Sequence, residues 1–421
     1  MTIHQERAHA KLSPSAAHRW INCPGSIRES EGVPNVSSKF AEEGTAAHTL
    51  AEECLRVGAD ASHFVGDHVN LTLGGIGKLD PEGTSFEVTE EMADAVQVYL
   101  DTVREIAFAH PGIEFDVEAQ LDMRDVPGMA FGTGDFCAYD PSRQKLTIID
   151  YKHGRGVPVE ANANPQLFAY AIGTAKRYHN RGLSEIELIV VQPRCPHPDG
   201  PVRRYSCPAI ELLDFEADLT EAALRTMQPD APLLPGEWCK FCPAASPYAV
   251  TCPALQEFSL EAASAAFSSE GEEIFTSTPP VEPKHLDADA LRELLGKAEI
   301  VKVWIAAVEA HAHHEATHGR CPTGYKLVAK RALRRWKDEA AAKEFLGGTF
   351  TPDQYMPRYL VSPAEADKLL KKNKAALKPF VEAKSSGTVL AEADDPRPAV
   401  GGDASGFNEE GAANAQTNMD T

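Results

Sequence analysis

Hydrophobic and polar positions change period along the chain, and each change predicts an element. Leu12-Ser13-Pro14-Ser15 opens a helix-like stretch, because Ser13 can cap it and Pro14 suits a first turn; Pro24-Gly25 stops it after Trp20 and Cys23. Phe40 to Val57 repeats at helical spacing, with Leu50, Cys54 and Leu55 on one face and Gly58 as a stop. Gly58 to Phe86 shows no regular period. Glu87 to His110 is amphipathic, its apolar stripe being Met92, Val96, Tyr99, Val103 and Ile106. The period then falls to two. Ile113, Phe115, Val117 and Ala119 alternate with Glu114, Asp116, Glu118 and Gln120, which predicts a strand. Met129 to Tyr139 and Lys145 to Lys152 predict two more, joined by a turn at Asp140-Pro141-Ser142. Asn164 to Tyr178 returns to helix, and Glu185 to Val191 to strand. The expected class is α/β, a mixed sheet flanked by helices.

Beyond the sheet the pattern loosens. Ala262 to Pro283 is rich in Ser, Glu and Pro, as linkers are. Asp287 to Thr317 reads as a long helix whose end carries His311, His313 and His314, with His318 just beyond; His314 and His318 fall one turn apart, as metal ligands or as a solvated helix end. Ser362-Pro363-Ala364-Glu365 has the form of a capping box and opens a lysine-rich helix. From Ser385 large apolar residues are few, a composition expected of a disordered tail. The expected organisation is a domain over 1–260, a linker over 261–286, a helical basic extension over 287–384 and an acidic tail over 385–421.

Composition narrows the function classes. No apolar run reaches the length of a membrane span, and the N-terminus lacks an apolar signal core, so a cytoplasmic protein without a membrane partner is expected. Nine cysteines in such a chain read as reduced, ligating or buried rather than as a disulfide framework. A net charge of −21 argues against a nonspecific grip on nucleic acid over the whole surface, but not against a local one. Lys330, Arg331, Arg334 and Arg335, between Tyr325 and Trp336, are the natural place for phosphate contacts; ordinary helix surface is the alternative.

Candidate chemistry gathers at two places. Asp135 ends a strand-like segment, and the apolar run Leu146 to Ile149 leads into Asp150-Tyr151-Lys152. Read as a hairpin, the two carboxylates approach each other, and Lys152 shares a strand face with Asp150. Two carboxylates bind a hard divalent cation, and an ammonium beside them can orient water and steady negative charge. Taken alone, charged residues close many ordinary strands. Glu118 either faces the same site or faces water, while Gln166 and Tyr170 lie one turn apart on a helix. The second place is Cys239-Lys240-Phe241-Cys242 with Cys252, a spacing that can aim sulfurs at one metal or cluster; Cys23 is the remote candidate for a fourth ligand, and buried thiols are the alternative.

These residues together resemble the PD-(D/E)XK nuclease superfamily in its RecB-like branch. The resemblance rests on Gly44-Thr45-Ala46-Ala47-His48, Gly132-Thr133-Gly134-Asp135, Asp150-Tyr151-Lys152 and Gln166 to Tyr170, in the family's order. Some members, such as the AddB nuclease domain and the CRISPR adaptation nucleases, add one upstream and three downstream cysteines, a layout matched by Cys23, Cys239, Cys242 and Cys252, although the gap from Cys242 to Cys252 is longer than usual. Within the branch the chain is most similar to a family of phage and prophage proteins of unassigned function, DUF2800, from Leu12 to about Val400.

The resemblance implies a restriction-endonuclease-like fold. It implies Mg²⁺ or Mn²⁺ held by Asp135, Asp150, the Tyr151 carbonyl and His48, with Glu118 as an extra ligand. Lys152 would position or help deprotonate the attacking water, and Gln166 and Tyr170 would order the strand beside the metal. The cysteines would hold a [4Fe-4S] cluster, with Zn²⁺ as the alternative. The implied activity is a DNA exonuclease acting on linear ends or single strands in a bacterial host, with a phage recombination protein as a further partner. Alternatives are a non-catalytic DNA-end or partner-binding module and a restriction-type endonuclease.

Overall fold

The computed structural model describes residues 11–34, 37–72, 74–77, 83–246, 252–266, 287–330, 333–356, 360–384, 387–393, 395 and 397–400. The chain divides into two compact units, Met1–Trp304 and Ile305–Thr421.

In the first unit, a short turn of helix at Pro14–Ala16 leads into α1 (Ala17–Asn22), followed by α2 (Lys39–Val57) and α3 (Glu90–Ala107). Then come β1 (Glu114–Asp122), β2 (Phe131–Asp140), β3 (Lys145–Tyr151), α4 (Pro165–Ala175), β4 (Glu185–Val191), β5 (Val202–Pro208), α5 (Glu211–Thr226) and α6 (Pro253–Ala266). The strands form one sheet in the order β1-β2-β3-β4-β5. All neighbours run antiparallel except β3 and β4, which are parallel. A parallel pair needs a crossover, and α4 supplies it.

Both faces of the sheet are covered, which is why its central strands read as continuous apolar runs. Leu121, Tyr139, Ile148 and Leu188 pack towards Trp20, residues of α4, and Leu219 of α5. Phe136, Ile149, Tyr151 and Ile189 pack on the other side with Leu50 of α2 and Val96 and Leu100 of α3. Ile148 and Ile149 are adjacent in sequence and lie in opposite cores, as strand geometry requires.

The helices that carry site residues start where local chemistry fixes them. The Ser38 hydroxyl accepts from the Ala41 N–H at 3.2 Å to cap α2, and Gly58 closes it at φ 70°. Thr89 caps α3 through the Met92 N–H. Asn164 Oδ1 accepts from the Gln166 and Leu167 N–H groups, with Pro165 in the first turn, and so sets the direction in which α4 leaves the site. Each such cap contributes about 1 kcal/mol.

The expected class holds: a mixed five-stranded sheet flanked by helices, with a helical C-terminal region. Three details differ. Gly58 to Phe86 contains a small antiparallel sheet of His68–Asn70, Ile76–Gly77 and Ser85–Glu87, too short to show a period. β5 and α5 follow β4, where no element was expected. α6 continues to Ala266, past the expected domain boundary at 260, while 267–286, most of the expected linker, lies outside the described residues.

After α7 (Ala288–Thr317), the second unit contains β6 (Tyr325–Ala329), β7 (Leu333–Trp336), α8 (Glu339–Gly347), α9 (Pro363–Leu370), β8 (Val381–Lys384) and β9 (Thr388–Glu392). Within the basic segment, Tyr325–Ala329 and Leu333–Trp336 are therefore strands, not helix surface. β6 pairs with β9 and β7 with β8, both antiparallel. The expectation of a tail disordered from Ser385 is corrected for Thr388–Glu392: β-branched Thr388 and Val389 and apolar Leu390 favour a strand, and Val328 bridges to Ala399 as well. Residues 401–421 lie outside the described residues. Among the described residues no helix is long and apolar enough to cross a membrane.

Candidate metal centre and active site

The β2–β3 ladder ends at the pair Phe136 and Ile149, so Asp135 and Asp150 face each other one step beyond it. There the side chain takes over from the ladder: Asp135 Oδ2 accepts from the Tyr151 N–H at 2.7 Å. On the other side of β2, Val117 pairs with Phe136 and Ala119 with Gly134, which puts Glu118 opposite Asp135. Glu118 has φ 49°, a left-handed conformation that is costly for a residue with a side chain and interrupts the strand locally. The expected alternation would send Glu118 to solvent with Glu114 and Asp116. This backbone irregularity is where the pattern breaks, and no periodicity announces it.

His48, from α2, completes the group. Its Nδ1 lies 3.5 Å from Asp135 Oδ1 and 3.8 Å from Glu118 Oε1. One ligand atom from each of His48, Glu118 and Asp135 falls within 4.8 Å of the others, close enough to hold one ion. Asp150 stands beside this group in a closed hydrogen-bonded set. Its Oδ1 accepts from Lys152 Nζ at 3.2 Å and from Gln166 Nε2 at 3.0 Å. Lys152 Nζ also donates to Gln166 Oε1 at 2.9 Å, and Gln166 Nε2 to the Tyr170 hydroxyl at 3.0 Å. Asp150 Oδ2 is buried, 2.9 Å from Lys152 Nζ, yet accepts no aligned hydrogen bond. A buried carboxylate oxygen left in that condition suits a cation.

Glycine explains why Tyr170 can reach this set. A Cβ at Gly132 would stand 3.1 Å from Tyr170 Cε1 and 2.9 Å from Pro14 Cγ, so only a bare backbone lets the ring lie against the strand.

The electrostatics are those of a crowded acidic site. Burial works against the His48 cation, but the charges of Asp135 and Glu118 override it and push its pKa up to about 9. Burial raises the Asp135 carboxyl, the His48 charge opposes, and Asp150 and Glu118 add to the rise. Burial also works against the Lys152 ammonium, which Asp150 and Asp135 nevertheless hold above its usual value. Without an ion, the acids are balanced by protons and by Lys152.

One network went unseen in the sequence. His153, buried next to Lys152, meets the Tyr151 hydroxyl at 2.8 Å through Nδ1, while its Nε2 lies 3.6 Å from Glu43 Oε1. Arg194 donates to Glu43 at 2.8 Å and stands 3.4 Å from Glu91. These contacts tie α2, which carries His48, to β3 and α3. The Tyr151 ring sits between Tyr99, His48 and His153, with centroids 5.2, 5.4 and 5.9 Å away. Adjacency of His153 to Lys152 was the only signal; Arg194 had none.

The structure also gathers the four cysteines. Cys23, Cys239, Cys242 and Cys252 line one small pocket with Leu233, Leu234 and Leu255. The Leu234 N–H points at Cys23 Sγ at 3.3 Å, and the Gly236 N–H at Cys239 Sγ at 3.4 Å. Burial raises all three of the Cys23, Cys239 and Cys252 thiols, Cys239 to about 11, and the nearby sulfurs add to this. Four thiols on one pocket, two of them met by backbone donors, are of the type that binds a metal or cluster, but among the described residues only His48, Glu118 and Asp135 bring three ligand atoms within 4.8 Å of one another.

The expected phosphate-binding group is not assembled in this way. Arg334 donates to the Pro363 carbonyl and to Asp367, both at 2.7 Å, and Arg335 to Glu382 at 2.6 Å. Adjacent strand residues point to opposite faces, and each of these is already paired with an acid. Lys330 is exposed, and Arg331 lies outside the described residues. In α7, the His314 and His318 rings stand 4.2 Å apart, with His318 Nδ1 hydrogen-bonded to the His314 carbonyl.

Comparison with protein families matches residues 9–398 to the model described as "Protein of unknown function (DUF2800)". The chain belongs to the DUF2800 family. Most of the DUF2800 match lies on described residues, from the Leu12 bridge to Met129 through to β9. Among solved structures, this DUF2800 protein is similar to one titled "Crystal structure of SSO0001", at 16% identity and a TM-score of 0.26, over 60% of this chain and 92% of that one. A likeness that low carries no argument about the DUF2800 site.

Proposed function

We propose that this protein is a divalent-metal-dependent nuclease that hydrolyses phosphodiester bonds of DNA, acting as an exonuclease in phage recombination or end processing. One observation carries the reading: three carboxylates, His48 and the Lys152–Gln166 pair, drawn from α2, β1, β2, β3 and α4, meet at one end of the sheet. Packing does not need this arrangement. It concentrates like charge, strains Glu118 and leaves a buried Asp150 oxygen without an aligned donor.

Asp135, Asp150, His48 and Glu118 would hold Mg²⁺ or Mn²⁺, with the Tyr151 carbonyl as a further oxygen. The cation, when bound, supplies charge stabilisation to a phosphate and acidifies water. The protein does the rest. Lys152, held between Asp150 and Gln166, would orient a water and take up negative charge developing on the phosphate. Gln166 fixes the ammonium, and Tyr170 fixes Gln166. The Glu43–His153–Arg194 network holds α2 so that His48 faces Asp135. The cysteine pocket would hold a [4Fe-4S] cluster, with Zn²⁺ as the alternative, joining Cys23 near the start of the first unit to the segment after α5.

End-labelled linear, circular and single-stranded DNA, incubated with Mg²⁺ and with Mn²⁺ beside Lys152→Ala, tests the reading. Loss of label from linear substrates, absent in the variant and with circles left intact, is the expected result. Cleavage that survives the substitution removes this site as its source. DNA binding without cleavage in either metal would favour an end-binding module instead.

A further inference from the structure

We propose that the Gly154-Arg155-Gly156 turn following β3 is a subsite for a backbone phosphate of the nucleic-acid strand, next to the one at the metal centre. The proposal deepens the nuclease reading and rests on it.

The turn is built from beneath. Gln192, which is 2% exposed, donates through Nε2 to the carbonyls of Gly154 at 3.2 Å and Val157 at 2.8 Å, and its Oε1 accepts from the Val159 N–H at 3.0 Å. Arg203, 3% exposed, donates to the Val159 carbonyl at 2.7 Å and to Gln192 Oε1 at 2.6 Å. Burying a glutamine and an arginine to hold one surface loop is costly unless the loop's position matters.

The two glycines have no internal reason to be there. Neither has a positive φ, and a Cβ added at either would meet nothing within 4 Å. Bare backbone that neither folding nor packing requires leaves room for something outside the chain to approach closely. Between the glycines stands Arg155, with 57% of its side chain exposed. It follows Lys152 by three residues, so the intervening chain spans at most about 10 Å. That is the scale on which neighbouring phosphates of one strand lie from a reacting one.

Arg155 is paired with Glu91, in the first turn of α3, itself 46% exposed. An ion pair this open is worth little in water and exchanges readily for a phosphate, which a guanidinium can hold through two parallel hydrogen bonds. Arg194 stands 3.4 Å from the same Glu91 oxygen, but it is nearly buried and Glu43 holds it at 2.8 Å, so it is not free to leave for a phosphate. Glu91 then acts as a competitor for Arg155. A purely structural role, the Arg155–Glu91 pair tying the turn to α3, predicts the reverse: losing either partner would do the same harm.

The two roles separate in Mn²⁺-dependent cleavage of a labelled oligonucleotide by the full-length chain over a salt series. For the subsite, Arg155→Ala raises KM about 5- to 10-fold at unchanged kcat and lowers the log–log salt slope of KM by about one, the signature of one lost phosphate contact. Glu91→Gln, which frees Arg155, lowers KM. If both substitutions raise KM alike, or if Arg155→Ala matches the parent, the subsite is overturned while the nuclease reading stands. A parent chain that leaves every substrate intact overturns the nuclease reading, and the subsite with it.

Discussion

The main-chain N–H of Tyr151 donates to Oδ2 of Asp135 at 2.7 Å, directly beyond the last ladder pair of β2 and β3. One carboxylate thus closes the hairpin and offers its other oxygen to His48 and the candidate ion. The two jobs separate by mutation. Asp135→Asn keeps an acceptor for the N–H and should fold with little loss, but it removes a charged ligand, so Mn²⁺ binding measured by calorimetry should fall by at least tenfold. Asp135→Ala leaves a buried N–H without its partner and should also lower stability by about 1–3 kcal/mol in urea unfolding. Equal stability of the two variants would show that the hydrogen bond does not brace the hairpin.

In the proposed site, Lys152 and a divalent cation would compete for Asp150. The ammonium lies within 3.2 Å of both carboxylate oxygens. Lys152→Ala should therefore abolish cleavage, by about a hundredfold or more as for loss of a preorganised charge in other hydrolytic sites. The metal-free protein should be less stable, since a buried carboxylate loses its partner. It should nevertheless bind Mg²⁺ more tightly than the parent, and the ion should restore more of its melting temperature. A variant whose melting temperature ignores Mg²⁺ would place the ion away from Asp150.

How much of this was legible follows from what each signal measures. α3 and β4 could be read because long amphipathic and apolar runs report burial directly, and burial sets the period. Asp135, Asp150, Lys152, His48 and Gln166 could be collected because they stand in an ordered set of short motifs. Glu118 stayed ambiguous, since its φ of 49° turns it against the alternation of its own strand. His153, Arg194 and Gln192 left almost no trace, because a buried polar network is made by partners far apart in the chain, such as Glu43 and Arg194. β9 was missed for another reason: a short strand that pairs with residues some sixty positions earlier is specified by Tyr325–Ala329 rather than by its own weak pattern.

His153 makes stability depend on pH. Burial first, and then the charge of Arg194 and of His48, press its pKa down to about 3 from an ordinary 6.5; Glu91 opposes and Arg155 assists. The folded protein thus refuses a proton that the unfolded chain accepts. Above pH 6.5 neither state is protonated there and the folded state loses nothing. As pH falls below 6.5 the unfolded state gains, by about 1.4 kcal/mol per unit and about 2 kcal/mol at pH 5. The raised His48 and Asp135 work in the opposite sense over the same range, so the contribution of His153 is read as a difference: between pH 7.5 and pH 5, His153→Gln should gain about 2 kcal/mol on the parent in urea unfolding. A variant with the parent's slope would assign it to other groups.

The cysteine pocket should behave as a clasp. Cys23 lies before α2, whereas Cys239, Cys242 and Cys252 follow α5, so an ion or cluster bound there would close most of the first unit into one loop. Cys239→Ser should lose the bound metal, read by elemental analysis and visible absorbance, and should unfold at lower temperature. A colourless parent protein containing zinc would replace the iron assignment, and one free of any metal after anaerobic purification would leave the pocket as four free thiols.

Gly173 offers a test in which two known effects oppose each other. It lies inside α4, where alanine is favoured over glycine by about 1 kcal/mol. A Cβ there would stand 2.9 Å from Leu121 Cβ on β1 and 2.9 Å from Met123 Sδ. The sulfur can swing aside, but Leu121 Cβ is fixed to its strand, so α4 must move away from the sheet. Overpacking of that kind costs about 1–3 kcal/mol and outweighs the gain in propensity. Gly173→Ala should therefore destabilise the protein, and because α4 carries Gln166 and Tyr170, it should lower kcat more than it raises KM by loosening the hold on Lys152. Stabilisation by the substitution would mean that helix and sheet stand further apart than the Leu121 contact requires.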